Sequence, residues 1–329
     1  MEAPSQVVPT GSWQVLSAGP TVPSTAYGEN TLGEIAESEA VRLPDLATVF
    51  ARRAERLRAL AGGHELEGFL RMIAALATAQ QDALARLPAG LLPGPAEIAM
   101  ARRARRAPID PALWRRDESW RAALMRILET IDADALPEPA RRARGQLAAA
   151  DNGELEALAE RFLGGDIAAA EAGQAVFVAA ALQVAWTRMA ALIDKKEIAT
   201  GKSESGLCPA CGSPPIAGLI APGGTKFGHR HLHCSLCATA WRYIRVRCVY
   251  CGSTDGISFR NLSGTSYVRA ECCEKCQGYS KVFYLDKART VEPLADDLAS
   301  LGLDVLVGED GFSRVPNPFV LGVREPSDR

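Results

Sequence analysis

Nine cysteines lie between positions 208 and 276 of a 329-residue chain, and eight of them form CxxC pairs: Cys208/Cys211, Cys234/Cys237, Cys248/Cys251 and Cys273/Cys276. Thiolates spaced this way suit soft metal ions. Two intervening residues let one tight turn aim both sulfurs at a point, and two such turns complete a tetrahedron around one ion. The pairs repeat in order. The first and second are separated by 22 residues and the third and fourth by 21, and CPACGS at 208–213 returns as CVYCGS at 248–253. This predicts a tandem duplication of one unit: knuckle, hairpin-sized insert, knuckle, strand. Gly212 and Gly252 follow the first knuckle of each copy, where a positive φ lets backbone N–H groups point at sulfur. A unit of about 40 residues cannot bury enough apolar surface to fold unaided. A tetrathiolate ion site contributes on the order of 10–16 kcal/mol in small modules. The competing reading is a redox dithiol, but that motif normally opens a helix in a βαβ setting and needs no partner pair.

The ninth cysteine, Cys272, aligns with His233 of the first copy and reads as a bystander; a turn one residue longer would put it in place of Cys273. His229, His231 and His233 alternate along HRHLHC, on one side of a strand. Either a polar strand face or a further metal site is compatible with that spacing. His64 stands alone and receives no role.

The elements that must position these sulfurs read differently on either side of residue 200. Residues 1–30 are rich in Pro, Ser, Thr and Gly and are expected to form a mobile arm. Residues 31–200 carry helical periodicity and predict a bundle-like α-helical domain. Leu46, Val49, Phe50, Leu57 and Leu60 mark one face after Asp45, the expected N-cap, with Gly62-Gly63 as the stop. A second stripe runs from Leu66 to Leu87, a third from Trp120 to Ile131 ending near Pro137, and a short one from Leu155 to Phe162 stopped by Gly164-Gly165. The nearly apolar run at about 167–194 predicts a central helix with no face for water. Its longest apolar stretch, 175–186, is too short to span a bilayer. Two small β-rich metal modules follow, at 201–246 and 247–290, and a tail at 291–329 with one acidic amphipathic helix over Pro293–Leu301.

Composition excludes some functions. Hydrophobic content is 47%, charged content 23% and net charge −2, which is ordinary for a globular chain and gives no call to a polyanion partner. The N-terminus lacks a basic region and an apolar core of signal-peptide length, so a cytoplasmic chain without membrane insertion is expected. Residues 201–290 hold 12 Lys/Arg against 5 Asp/Glu, and WRYIRVR at 241–247 interleaves aromatics with arginines. Eight thiolates and two divalent ions reduce that excess from +7 to +3, so nucleic acid is a weak partner. ARRARR at 101–106 reads as a solvated basic face, with a docking site for an acidic partner as the alternative. Trp241 and Tyr243 are candidate docking residues, with core packing as their competing use. No nucleophile elbow, phosphate-cradling loop or HExxH is present, and a four-sulfur shell leaves a metal no open position. A non-enzyme is expected.

The run LHCSLCATAWRYIRVRCVYCGS, with CPACGSPP upstream and ECCEKCQGYSKVFY downstream, resembles the formate dehydrogenase accessory protein family of FdhE type. DDLASLGLDVL at 296–306 and NPF at 317–319 add to the likeness, which covers about 205–320. The resemblance implies a cytoplasmic assembly factor that binds the catalytic subunit of a molybdenum- or tungsten-containing formate dehydrogenase before export. It implies two rubredoxin-like modules holding iron, with zinc as the alternative, on the eight paired cysteines. A zinc-ribbon nucleic-acid binder and a rubredoxin-like electron carrier are the other readings. Ala238 and Gln277 follow the second knuckles in place of glycine, so a different N–H···S geometry is expected there, leaving redox activity open.

Overall fold

The computed structural model describes residues 14–16, 40–87, 92–113, 116–198, 206–222, 229–262 and 264–320. The chain runs β1 (Gln14–Leu16), β2 (Val41–Arg42), α1 (Val49–Ala61), α2 (Glu67–Arg86), α3 (Pro95–Arg103), α4 (Ser119–Thr130), α5 (Glu138–Ala149), α6 (Asn152–Gly164) and α7 (Ala172–Leu192). Then come β3 (Pro215–Ile220), β4 (Arg230–Cys234), β5 (Ala240–Tyr243), β6 (Ile257–Asn261), β7 (Val268–Cys273) and β8 (Gly278–Tyr284), followed by α8 (Pro293–Ala299) and α9 (Leu301–Glu309). Apart from β1, the arm expected at 1–30 lies outside the described residues.

α7 is the hub of the helical region and packs on α2, α4, α5 and α6. Together with the turn before it, it is long and apolar enough to cross a membrane, but 78% of its most apolar stretch is buried within the protein. Two of its buried polar side chains, Gln183 and Trp186, tie it to other parts of the chain. Gln183 Oε1 accepts from Gln80 and Arg53, its Nε2 donates 2.8 Å to the Ser235 carbonyl, and Trp186 Nε1 donates to the Ile109 carbonyl. The helical core is thereby bonded to the first metal module through Ser235.

Several boundaries differ from the sequence expectation. α1 starts after Thr48; Asp45 accepts from Ala47 N–H and Thr48 Oγ1, closing the turn before the helix. α4 ends at Thr130, and Pro137 instead precedes α5, a helix with only Ala143 and Leu147 buried. The acidic helix of the tail is two helices, and its acids are not solvated: Asp296 and Asp297 are fully buried. Arg56 holds Asp296, while Lys281 of β8, Arg314 and Asn317 converge on Asp297.

The strands form one eight-stranded sheet in the order β1-β6-β7-β8-β3-β4-β5-β2. Each duplicated unit is an antiparallel meander, and the two meet at a parallel seam where Gly218, Leu219 and Ile220 of β3 pair with Val282, Phe283 and Tyr284 of β8. Behind the seam, Arg230 and Glu271 form a buried ion pair at 2.8 Å that joins the first module to the second. Gly218 makes room for it, since a Cβ there would lie 2.9 Å from Arg230 Nε. β1 and β2 are the edge strands, pairing with β6 and β5, and at three and two residues they keep the unpaired edges short. One hydrophobic core spans the helices and the first module, taking in Phe50, Leu182, Cys211, Cys237 and Trp241. A second lies between the other module and the tail, with Phe283, Leu303 and Val307.

Candidate metal centres

Each centre is built from two turns that close onto each other. In the first, Cys208 and Cys211 precede β3, while Cys234 ends β4 and Cys237 follows. The antiparallel β3–β4 pair brings the two turns together, with Pro215 opposite Cys234. The cross-turn sulfurs lie 3.6 Å apart for Cys208–Cys237 and 3.4 Å for Cys211–Cys234. The second centre repeats this, with Cys248–Cys276 and Cys251–Cys273 both at 3.6 Å. Within each set all four sulfurs lie within 4.8 Å of one another. Sulfurs about 2.3 Å from a tetrahedral ion would sit about 3.8 Å apart, so both sets fit such an ion.

Backbone donors support the same fit. Leu236 and Cys237 N–H donate to Cys234 Sγ at 3.3 Å, and Tyr250 N–H donates to Cys248 Sγ at 3.4 Å. Burial pushes the Cys208 and Cys234 thiols well above the ordinary cysteine range, so a bound cation is what would hold them as thiolates. In the second set burial raises Cys248 to about 12, whereas the Ser253 N–H draws Cys251 down to about 7.

The two centres differ in exposure. All four cysteines of the first are buried; in the second, Cys251 and Cys276 are exposed. Tyr250, between Cys248 and Cys251, is also exposed, as are Ile244 and Val246 in the segment leading to Cys248, and Tyr250 Oη accepts from Val315 N–H of the tail.

All four turns end in the left-handed region: Gly212 at φ +77°, Gly252 at +72°, Ala238 at +57° and Gln277 at +52°. The different geometry expected after the second knuckles is therefore absent from the turn itself; Ala238 and Gln277 adopt the glycine conformation. An L-residue held there costs roughly 1–2 kcal/mol, while glycine costs about 0.5–1 kcal/mol in chain entropy. Ala238→Gly and Gln277→Gly are thus expected to raise stability by up to about 1 kcal/mol each. Ala179→Gly inside α7 should lower it by about 1 kcal/mol. Urea unfolding of the metal-loaded protein checks this; a loss at 238 comparable to that at 179 would contradict the strained turn.

Cys272 is fully buried, lies outside both sets and faces the second core, as alternation along β7 requires. Burial raises its thiol to about 11. His231 and His233 line a cavity instead of solvent, and no cysteine or carboxylate set gathers with them among the described residues. Burial pushes His233 to about 3, with His231, Arg42 and Arg52 adding to the effect, so its imidazole is neutral. Trp241 and Tyr243 are core residues, at 1% and 6% exposure, which removes them as docking candidates. In WRYIRVR the exposed members are Arg242, Ile244 and Val246, and Arg247 is spent on the Gly252 carbonyl of a knuckle. In ARRARR, Arg102 pairs with Glu197 and Arg106 with Asp110.

Comparison with known proteins matches three family descriptions in chain order. These are "FdhE, N-terminal" over residues 38–202, "FdhE, central domain" over 207–245 and "FdhE, C-terminal domain" over 246–320. A "Protein FdhE homolog" of Pseudomonas aeruginosa is 40% identical over 277 residues, covering 81% of this chain and 87% of that protein. One from Edwardsiella ictaluri is 38% identical, covering 84% and 90%. The crystal structure of the FdhE protein from Pseudomonas aeruginosa is similar with a TM-score of 0.77 at 36% identity, covering 85% of this chain and 98% of that one.

Proposed function

This chain belongs to the FdhE family, and from that premise we propose that it is a cytoplasmic, non-enzymatic assembly factor that binds the catalytic subunit of a formate dehydrogenase before that subunit is exported. In this reading Cys208, Cys211, Cys234 and Cys237 hold one ion, and Cys248, Cys251, Cys273 and Cys276 hold a second. Iron is the ion that the family likeness favours, and zinc is the alternative. Sulfur-four sites take either.

The observation that carries the reading is the inequality of two otherwise repeated centres. The first is sealed in the core shared with the helices, so it serves to join the module to that core. The second brings two thiolate positions to the surface, and Tyr250 within its first turn and Ile244 and Val246 just before it in the chain are exposed too, which is where a client subunit would dock. Four sulfurs around each ion leave no position for a substrate or water, which supports a binding role over Lewis-acid catalysis. The same exposure favours one second reading, electron exchange at the second centre if it holds iron. No comparable observation favours nucleic acid: Arg230 is buried in an ion pair and Arg247 caps a knuckle.

The test is co-purification of the metal-loaded chain with a formate dehydrogenase catalytic subunit. Cys251→Ser with Cys276→Ser is expected to cut recovery of the complex at least tenfold while the helical region stays folded. Undiminished recovery would remove the second centre from the interface. Metal analysis with an absorption spectrum decides between iron and zinc; stoichiometric zinc with no colour would end the electron-carrier reading.

A further inference from the structure

A cavity of about 350 Å³ opens where the helical region, the first metal module and the segment leading into α8 meet. It is remote in role from the sulfur-four sites, although Cys234 and Ala238 form part of its wall. Six basic or imidazole side chains line it: Arg42 of β2, Arg52 and Arg53 of α1, His231 and His233 of β4, and Arg289. Among the described residues two carboxylates do so, and both accept hydrogen bonds. Asp45 accepts from Thr48 Oγ1 and Ala47 N–H, and Glu292 accepts from Arg53 and Ala295 N–H. Arg42, Arg52 and Arg289 are exposed and form no ion pair among the described residues. Apart from Thr48 the remaining wall is largely apolar, with Val49, Leu219, Leu285 and Leu294.

Three exposed guanidiniums without an ion pair edge one concavity and give it a positive potential. Guanidinium forks match phosphate and carboxylate oxygens in bidentate geometry. An apolar wall of this extent suits a carbon skeleton, and the volume falls at the small end of the range for organic-ligand pockets, roughly 300–1,000 Å³. We propose that this cavity is a binding site for a small organic anion carrying a phosphate-type group. Its charged lining comes from β2, α1, β4 and the segment before α8, and includes no residue of the second centre. A cavity of this volume favours a small molecule over an extended acidic peptide.

The metal-loaded full-length chain is titrated calorimetrically at fixed salt with inorganic pyrophosphate, adenosine 5′-diphosphate, adenosine and a hexaglutamate peptide. Saturable binding of the diphosphate or pyrophosphate with a Kd of about 1 mM or tighter, and none of adenosine, is expected. Arg42→Ala and Arg52→Ala should each weaken it about tenfold or more, and Arg52→Lys by less. Both residues are exposed, so the ligand-free melting temperature should not move; a variant that does melt early is replaced by the Lys substitution at the same position. Absence of saturable binding to the wild-type chain overturns the proposal. So does retention of wild-type affinity by the Arg42→Ala/Arg52→Ala double variant, or preference for hexaglutamate over both phosphate probes, which would assign the cavity to a protein partner.

Discussion

Cys237→Ser is expected to cost the chain its cooperative fold, whereas Cys276→Ser leaves the helical region folded and removes one ion. The two residues occupy equivalent places in the repeat, so their chemistry alone predicts equal effects. Their surroundings differ. Cys237 is fully buried in the core that also holds Phe50, Leu182 and Trp241. With the ion lost, Cys208 and Cys234, whose burial opposes ionisation, face Cys237 and Cys211 inside that core. A structural ion of this class contributes on the order of 10–16 kcal/mol in small modules, comparable to the roughly 5–15 kcal/mol that keeps a whole domain folded. Cys276 is exposed, so water can replace its sulfur, and the apolar cluster beside its centre is small, with Ile257 and Phe259. The second module is also held without metal, by the seam with β3 and by Lys281 bonded to the tail. Circular dichroism during thermal unfolding, with metal stoichiometry by mass spectrometry, separates the cases. Equal loss of fold in both variants would show that burial does not decide which centre supports the structure. A chelator should likewise strip the second centre before the first.

Glu271→Leu is expected to destabilise by about 3–5 kcal/mol, because it leaves the Arg230 charge buried without its carboxylate. Arg230 keeps contacts to Ser280 Oγ, the Arg245 carbonyl and the Tyr243 ring, but none of these carries opposite charge. Glu271→Gln retains a hydrogen-bond acceptor and should cost less. Arg230→Met combined with Glu271→Leu should recover most of the loss, since replacing a buried pair by apolar groups is often neutral. The pair bridges the two modules, so the loss should appear as faster amide exchange in β3, β4, β7 and β8, with α2 and α4 little changed. Urea unfolding gives the magnitude. A double variant as unstable as the single one would mean that the pair does more than neutralise buried charge.

Much of the helical region was legible because apolar residues recur at helical spacing and glycine or proline marks the stops. α2, α6 and α7 follow that pattern closely. α5 did not announce itself, since it buries only Ala143 and Leu147 amid arginines. The burial of the acids of α8 is hidden in the sequence for a related reason. An acidic stretch looks solvated until Arg56, Lys281 and Arg314, distant in sequence, are brought against it.

Sequence alone determined the grouping of sulfurs into two sets of four, because a CxxC turn constrains both sulfurs within a few bonds and the repeat supplies the partner turn. Only the tertiary structure decided that the two modules share one sheet, that one centre is sealed while the other reaches the surface, and that arginines from separate elements gather around one cavity. Those outcomes depend on pairings such as Gly218 with Val282 and on which copy meets the helices. No local spacing encodes them, since near-identical knuckles acquire different surroundings only when distant surfaces pack.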